Sequence, residues 1–338
     1  MSSSTVRLTL ALAFAPGFGL VVTAFADGEP KPAARYSEPV KIGLLEDKRL
    51  TEVSGIVPVT GLERCYWVHN DSGDKPRILA IRESGDVIAD VAVRGCAATD
   101  WEDIAKGPGP KKPGEAKAPV CIFIADTGNN DKSRRQLVVW RFREPELPKA
   151  LTAPAGKIRE ALIDTEPAAR LRFRYPGETK DCEAMVVHPE TGSVYFLTKG
   201  IFGGSVFRIE GAVEGLEEKV QTADEVCSMG RTMMTAADLS ADAKRLVVRT
   251  YLEVQLYLLP EGKPFEEIFA QPKIDLPRSL LEVQGESICF DTDGSVVTVS
   301  EAKPKVIHRI SPAGISPGGA SPSGAEGKSK ASPPPKAK

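Results

Sequence analysis

A short phrase recurs along the chain, and it constrains the fold more than any other feature. Each copy runs polar or acidic, spacer, polar or acidic, small or acidic, apolar. The copies are Glu52-Val53-Ser54-Gly55-Ile56, Asp100-Trp101-Glu102-Asp103-Ile104, Asp181-Cys182-Glu183-Ala184-Met185, Thr235-Ala236-Ala237-Asp238-Leu239 and Gln284-Gly285-Glu286-Ser287-Ile288. Most lie about 50 residues apart, the period of propeller blades. A blade cannot bury its faces alone, so such repeats stack around a shared axis. Equivalent carboxylates from several repeats are then expected to meet at that axis.

The segments between the phrases support an all-β fold. Apolar runs are short and rich in β-branched or aromatic residues, as in Tyr66-Trp67-Val68, Cys121-Ile122-Phe123-Ile124, Leu137-Val138-Val139-Trp140 and Val194-Tyr195-Phe196-Leu197. Turn formers bound them, including Glu83-Ser84-Gly85-Asp86, Pro189-Glu190-Thr191-Gly192 and Asp291-Thr292-Asp293-Gly294. Each phrase opens a strand, a turn and an apolar strand follow, and then a third strand such as Arg77-Ile78-Leu79-Ala80-Ile81. The reading is a β-propeller of five recognisable blades, with six open. The extra stretch from Leu147 to Lys180 either lengthens blade two or hides a degenerate blade. Val40 to Leu44 is expected to supply the outer strand that closes the ring with the last blade. Helical periodicity is weak and confined to Gly211 to Val220.

Four regions are expected: a signal peptide over 1–26, a linker over 27–39, the propeller over 40–310 and a disordered tail over 311–338. Arg7, the apolar run from Leu8 and the Ala24-Phe25-Ala26 cleavage pattern carry the first assignment. Pro16, Gly17 and Gly19 argue against an uncleaved membrane anchor. The tail is dominated by Pro, Ser, Gly, Ala and Lys and is too poor in apolar surface to order itself. The expectation is an exported monomer, periplasmic, extracellular or on the cell surface, with no stable membrane span after cleavage. Export would allow the six cysteines up to three bridges, with buried free thiols as the alternative. A net charge of −2 and the lack of a basic stripe with interleaved aromatics exclude a nucleic-acid partner.

Some motifs look familiar. Trp67-Val68-His69-Asn70-Asp71-Ser72-Gly73-Asp74, Asp100 to Ala105, Ile124-Ala125-Asp126-Thr127-Gly128-Asn129-Asn130 and Asp181 to Met185 resemble a little-characterised family of exported bacterial β-propellers. The likeness covers Ile42 to Ile310. More distantly, the inner-strand carboxylates resemble calcium-dependent propeller hydrolases of the gluconolactonase/paraoxonase and esterase-like phytase groups. That resemblance implies a calcium ion in the central channel, held by Glu, Asp and Asn side chains.

Strand side chains alternate faces, which places Asp100 with Glu102, Asp181 with Glu183 and Gln284 with Glu286. Ser54, Glu102, Glu183, Ala237 and Glu286 form the aligned column. Three glutamates so close would repel one another, and a hard cation such as Ca2+, held by Glu102, Glu183 and Glu286, relieves that repulsion. A second polar set follows where the next strands end: His69, Asn70, Asp126, Lys199, Arg249 and Glu301. Of these, His69, Lys199 and Arg249 are the catalytic candidates, and Asn70, Asp126 and Glu301 the ligand-binding ones. Asp100 and Asp181 read equally well as structural, and His69 as a hydrogen-bonded rim residue. Asn70 to Asp74 and Asp126 to Asp131 read as calcium loops or as plain Asx turns. The partner is an unspecified small molecule or protein at the channel mouth. The favoured reading is a binding or scaffolding propeller. The alternative is a calcium-dependent hydrolase of esters, lactones or phosphoesters. No G-x-S-x-G elbow, P-loop or C-x-x-C pair is present.

Overall fold

The computed structural model describes residues 36–148, 160–200, 203–211, 219–230 and 233–313. The signal-peptide expectation, residues 27–35 of the linker, the tail from 314 and most of the weakly helical stretch lie outside the described residues. Five sheets account for the strands. Blade one takes Val53–Pro58, Cys65–Asn70, Arg77–Arg82 and Val87–Ala92. Blade two takes Trp101–Pro108, Val120–Asp126, Leu137–Arg143 and Ala169–Arg174. Blade three takes Cys182–Val187, Val194–Thr198, Ser205–Ile209 and Asp224–Ser228, and blade four Met234–Leu239, Arg245–Thr250, Val254–Leu258 and Ile274–Leu276. Blade five takes Gly285–Phe290, Val296–Ser300 and Val306–Ile310, with Val40–Leu44 as its outer strand.

The first strand of each blade packs on the first strands of its two neighbours, which makes a closed ring of five. Closure is as expected: Val40 pairs with Arg309 and Leu44 with Val306, so the start of the propeller completes its last blade. The edge of Val306–Ile310 is thereby covered instead of left open to another chain. Pairing continues outward, where the Ser37 amide donates to the Ser311 carbonyl over 2.8 Å.

The described residues of the Leu147 to Lys180 stretch form no sixth blade. Ala169–Arg174 is the fourth strand of blade two, antiparallel to Leu137–Arg143. Just before it, Ala161–Asp164 lies parallel to Val87–Ala92 and extends blade one. The insertion thus spreads over the outer edges of two blades. A short 3-10 helix, Phe265–Ala270, packs Ile268 and Phe269 onto the interface between blades three and four.

Both faces of every sheet are buried against neighbouring sheets, and the core is five separate layers. Trp67, Ile78, Trp101 and Ile124 pack between blades one and two. Phe123, Phe173, Met185 and Phe196 pack between two and three. Ala184, Leu197, Met234 and Leu246 fill the third layer, Val247, Leu256, Ile288 and Val296 the fourth, and Ile56, Tyr66, Val297 and Ile307 the fifth. This accounts for the unbroken apolar runs in the sequence, because a strand buried on both faces has no polar face to alternate with. Trp101 and Met185 are packing residues. All six cysteines are free thiols, and Cys65, Cys121, Cys182 and Cys289 are buried.

Candidate functional site

With both faces committed to packing, simple alternation cannot aim a side chain at the axis. A break in the ladder does so instead. In blade one, Val53 pairs with Asn70 and Gly55 with His69, which leaves Ser54 unpaired. The same irregularity leaves out Glu102, Glu183 and Glu286 in blades two, three and five. Each is a bulge residue, and a bulge re-aims the side chain it carries. In blade four the bulge lies between Met234 and Ala236, so Thr235 occupies the column. The sequence alignment had put Ala237 there. It was two residues out, because Asp238 imitates the acid of the phrase while the true equivalents begin at hydrophobic Met233.

The ring is stapled from blade to blade at this level. The Ser54 hydroxyl donates to the Glu102 carbonyl, and Thr127 donates to the Cys182 carbonyl over 2.7 Å. Thr235 donates to the Gly285 carbonyl over 2.6 Å and Ser287 to the Val53 carbonyl over 3.3 Å. Asp103 plugs the axis. Its carboxyl accepts the Met185 amide of blade three over 2.8 Å and the Ala237 amide of blade four over 3.2 Å.

Above this plug the carboxylates gather. One ligand oxygen each from Asp71, Asp100 and Glu102 lies within 4.8 Å of the others, and so does one each from Glu102, Asp181 and Glu183. Glu102 belongs to both groups. The residue is only 5% exposed, and its carboxylate takes part in no hydrogen bond or ion pair among the described residues. Asp71 Oδ1 is likewise buried without a hydrogen-bond partner. The Asp71, Lys199 and Glu301 amides donate to the Glu52, Asp181 and Gln284 carbonyls, which sets these three residues at equivalent positions around the mouth. In blade two the donor lies one residue further along, and the Gly128 amide donates to the Asp100 carbonyl over 3.2 Å. A Cβ on Gly128 would collide with the Glu102 and Asp100 carboxylates, so the missing side chain is what leaves room for them.

Burial, and then the crowding of like charge, shifts these acids upward. Both push Glu102 well above the ordinary carboxylate range, with Glu183, Asp71, Asp100 and Asp181 as the repelling neighbours. Asp71 is raised to about 7 by burial and by Asp100. Glu183 is also raised to about 7, because burial outweighs its bond to Lys199. Glu286 is raised to about 9 by burial and by Glu301 beside it. Among the described residues Lys199 is the cation that pairs with a carboxylate of this cluster, and the charge of Arg134 partly offsets the rise that burial imposes on Asp100. The Lys199 ammonium donates to Glu183 and, over 2.8 Å, to the Tyr251 hydroxyl.

The remaining candidates are placed elsewhere or tied into loops. His69 is 1% exposed, between blades one and two, edge-on to Trp101 at 5.5 Å. Burial lowers its pKa to about 4, so the ring is neutral at pH 7. Arg249 is buried in an ion pair with Glu282, whose other oxygen accepts from Thr298 over 2.7 Å and meets His308 Nδ1 at 2.7 Å. Asn70 and Asp126 organise the approach loops. Asn70 bonds the Arg49 carbonyl and Asp74 at 2.6 and 2.8 Å, and Asp126 pairs with Arg134 at 2.7 Å. Glu301 stays at the mouth beside Glu286, accepting from Gln284 over 3.1 Å. The structure therefore brings together Glu102, Glu183, Lys199, Glu286 and Glu301, and sets His69, Asn70, Asp126 and Arg249 apart from the carboxylate cluster. Sequence reasoning missed Asp103, Tyr251 and Glu282, and it reached Asp71 only as part of a candidate calcium loop. Asp71 sits in a stretch that reads equally well as an Asx turn, and Asp103 is the second of two adjacent acids.

Neither a protein-family model nor a curated protein matches the chain. Among solved structures it aligns with the soluble aldose sugar dehydrogenase of Escherichia coli in its apo form, at 10% identity, covering 81% of this chain and 99% of that one, with a TM-score of 0.44. A glucose dehydrogenase aligns at 8% identity over 81% and 99%, with a TM-score of 0.42. A selenomethionine-substituted virginiamycin B lyase of Staphylococcus aureus aligns at 12% identity over 80% and 69%, with a TM-score of 0.36. No residue role is carried over from them.

Proposed function

We propose that the chain is a binding propeller whose acidic axial mouth holds a divalent cation, through which it recognises an oxygen-rich ligand. The observation that carries this reading is the buried Glu102 carboxylate, which has no donor among the described residues and stands among Asp71, Asp100, Asp181 and Glu183. A carboxylate removed from water needs a proton, a hydrogen-bond donor or a cation. The donor set is all oxygen, without His or Cys, which suits Ca2+ or Mg2+ over zinc. Five carboxylates in an irregular arrangement favour Ca2+, which takes six to eight oxygen ligands, over the strict octahedron of Mg2+. His69 and Arg249, the groups best suited to proton transfer and anion clamping, are committed to inter-blade packing, and this favours binding over catalysis.

Calcium titration of the full chain by calorimetry, in two buffers of different ionisation enthalpy, tests the reading. Saturable binding with net proton release is expected, because the ion displaces the protons that the raised carboxyls hold. Binding should be lost in Glu102→Gln. Absence of saturable calcium binding in the unaltered chain would sink it.

A second reading, a calcium-dependent hydrolase of esters, lactones or phosphoesters, is favoured by Glu286. With a pKa of about 9 it holds a proton at neutral pH at the edge of the same mouth, as a general acid must. A bound calcium ion would polarise a carbonyl or phosphoryl oxygen. Aryl esters, lactones and phosphomonoesters that show no chelator-sensitive turnover would remove this reading and leave the first intact.

A further inference from the structure

The opposite end of the axis carries a different kind of site. There the five inner strands finish, and they enclose a cavity of about 560 Å3. Val57, Gly107, Val187, Leu239 and Phe290, one from each blade, line it. The volume lies within the roughly 300–1,000 Å3 of small-molecule pockets. Asp103 and the five stapled inner strands separate it from the acidic mouth. Pro58, Pro108, Pro119 and Pro189 complete the wall. Proline brings no N–H that needs a partner, and its fixed φ stiffens the rim, so the wall is apolar and preformed.

Few polar groups converge on this space. Asp238 is the carboxyl at the blade-four wall, and its Oδ2 accepts the Phe290 amide over 2.7 Å. The Lys106 ammonium donates to the Pro58 carbonyl over 2.7 Å and to Thr60 Oγ1 over 2.9 Å, and it pairs with Glu144 at 3.9 Å. Arg245 stacks on the Phe290 ring at 5.1 Å and hydrogen-bonds the Tyr36 side chain; its charge also helps to lower the pKa of Asp242, but among the described residues no carboxylate is ion-paired with it. Of the other acids on the lining, Asp291 is held by Arg309 at 2.5 Å and Tyr66 at 2.7 Å, and Glu190 is exposed at the rim. The cavity thus offers an apolar body with Arg245, a cation that has no ion-pair partner among the described residues, at its edge.

We propose that this cavity is a second, metal-independent binding site, for a small amphipathic carboxylate. Its aliphatic or aromatic body fills the space between Val57, Val187, Leu239 and Phe290. Its carboxylate pairs with Arg245. Arg245 suits this role because its planar fork matches a carboxylate and its stacking on Phe290 fixes the plane in advance.

Octanoate titrated into the full chain by calorimetry is the direct test, with octanol and acetate as the body and the head alone. Saturable one-to-one binding of octanoate is expected, at least about tenfold tighter than either control. Arg245→Gln should weaken it about tenfold or more, and Val187→Trp, which fills the space, should abolish it. Glu102→Gln should leave it unchanged, so this proposal and the calcium reading fail separately. Absence of saturable octanoate binding overturns the site. Octanol binding as tightly as octanoate, or Arg245→Gln binding like the unaltered chain, overturns the carboxylate assignment. Should Val187→Trp fail to fold, the Arg245→Gln variant and the octanol comparison decide.

Discussion

At the scale of single residues, two glycines govern where charge can stand. A Cβ on Gly285 would collide with the Arg249 guanidinium, and one on Gly128 with the Glu102 and Asp100 carboxylates. Gly128→Ala is therefore expected to destabilise the chain by about 1–3 kcal/mol through overpacking, and to erase any calcium-induced rise in melting temperature. A variant that melts like the unaltered chain with calcium and with chelator would contradict the cradle. The Arg249–Glu282 pair offers a second measurement. Both side chains are 1% exposed, and Arg249, His308 and Thr298 overcome burial to hold Glu282 at about 2. Glu282→Gln leaves a buried guanidinium without its counter-charge, and a loss of about 3–5 kcal/mol is expected in denaturant unfolding. The double variant Glu282→Leu with Arg249→Leu should recover part of that loss, because no orphaned charge remains.

At the scale of elements, the bulge and the closing strand matter most. The bulge repeats at the same ladder position in all five inner strands, and it turns an inter-blade position into an axial one. The closing strand does two jobs. It pairs with the edge of Val306–Ile310, and Ile42 packs against the layer between blades five and one. A chain truncated to begin at residue 46 should expose that edge and that layer together. Light scattering after size exclusion is expected to show self-association, and the melt should lose its sharpness. A monodisperse chain with an unchanged melt would show that the closure is dispensable.

At the scale of the whole molecule, the acidic mouth makes stability depend on pH. Glu183 and Asp71 titrate at about 7 and Glu286 at about 9 in the folded chain. In the unfolded chain such groups titrate near about 4. Between those values the folded state binds more protons than the unfolded state, so stability falls as pH rises from about 4 through about 9. Without metal the melting temperature should therefore drop between pH 5 and pH 9. Calcium should raise it more at the upper end, where the ion replaces protons already lost. Melting curves across this range, in calcium and in chelator, check both slopes. A metal-free chain that gains stability over the same range would show that the carboxylates are compensated in some other way.

Much of this architecture was legible in the chain. The repeated phrase, the short apolar runs and the turn signals pointed to a propeller of five recognisable blades, with six open, and to a closing outer strand, because blade packing demands strands that are apolar on both faces. The sequence also marked Glu102, Glu183 and Glu286 as equivalent. It did not show how they reach the axis. A bulge is a property of the pairing between two strands, so neither strand reveals it alone, and Thr235 was misplaced for that reason. The partners of His69 and Arg249 were equally hidden, since Trp101 and Glu282 lie about 30 residues away and meet them only across blade interfaces. The sequence by itself thus determined the ring and the residues available to its axis. The tertiary structure decided which carboxylates stand together without compensation, and which cations are already taken. Burial and pairing energies depend on distances through space, which no local pattern in the chain specifies.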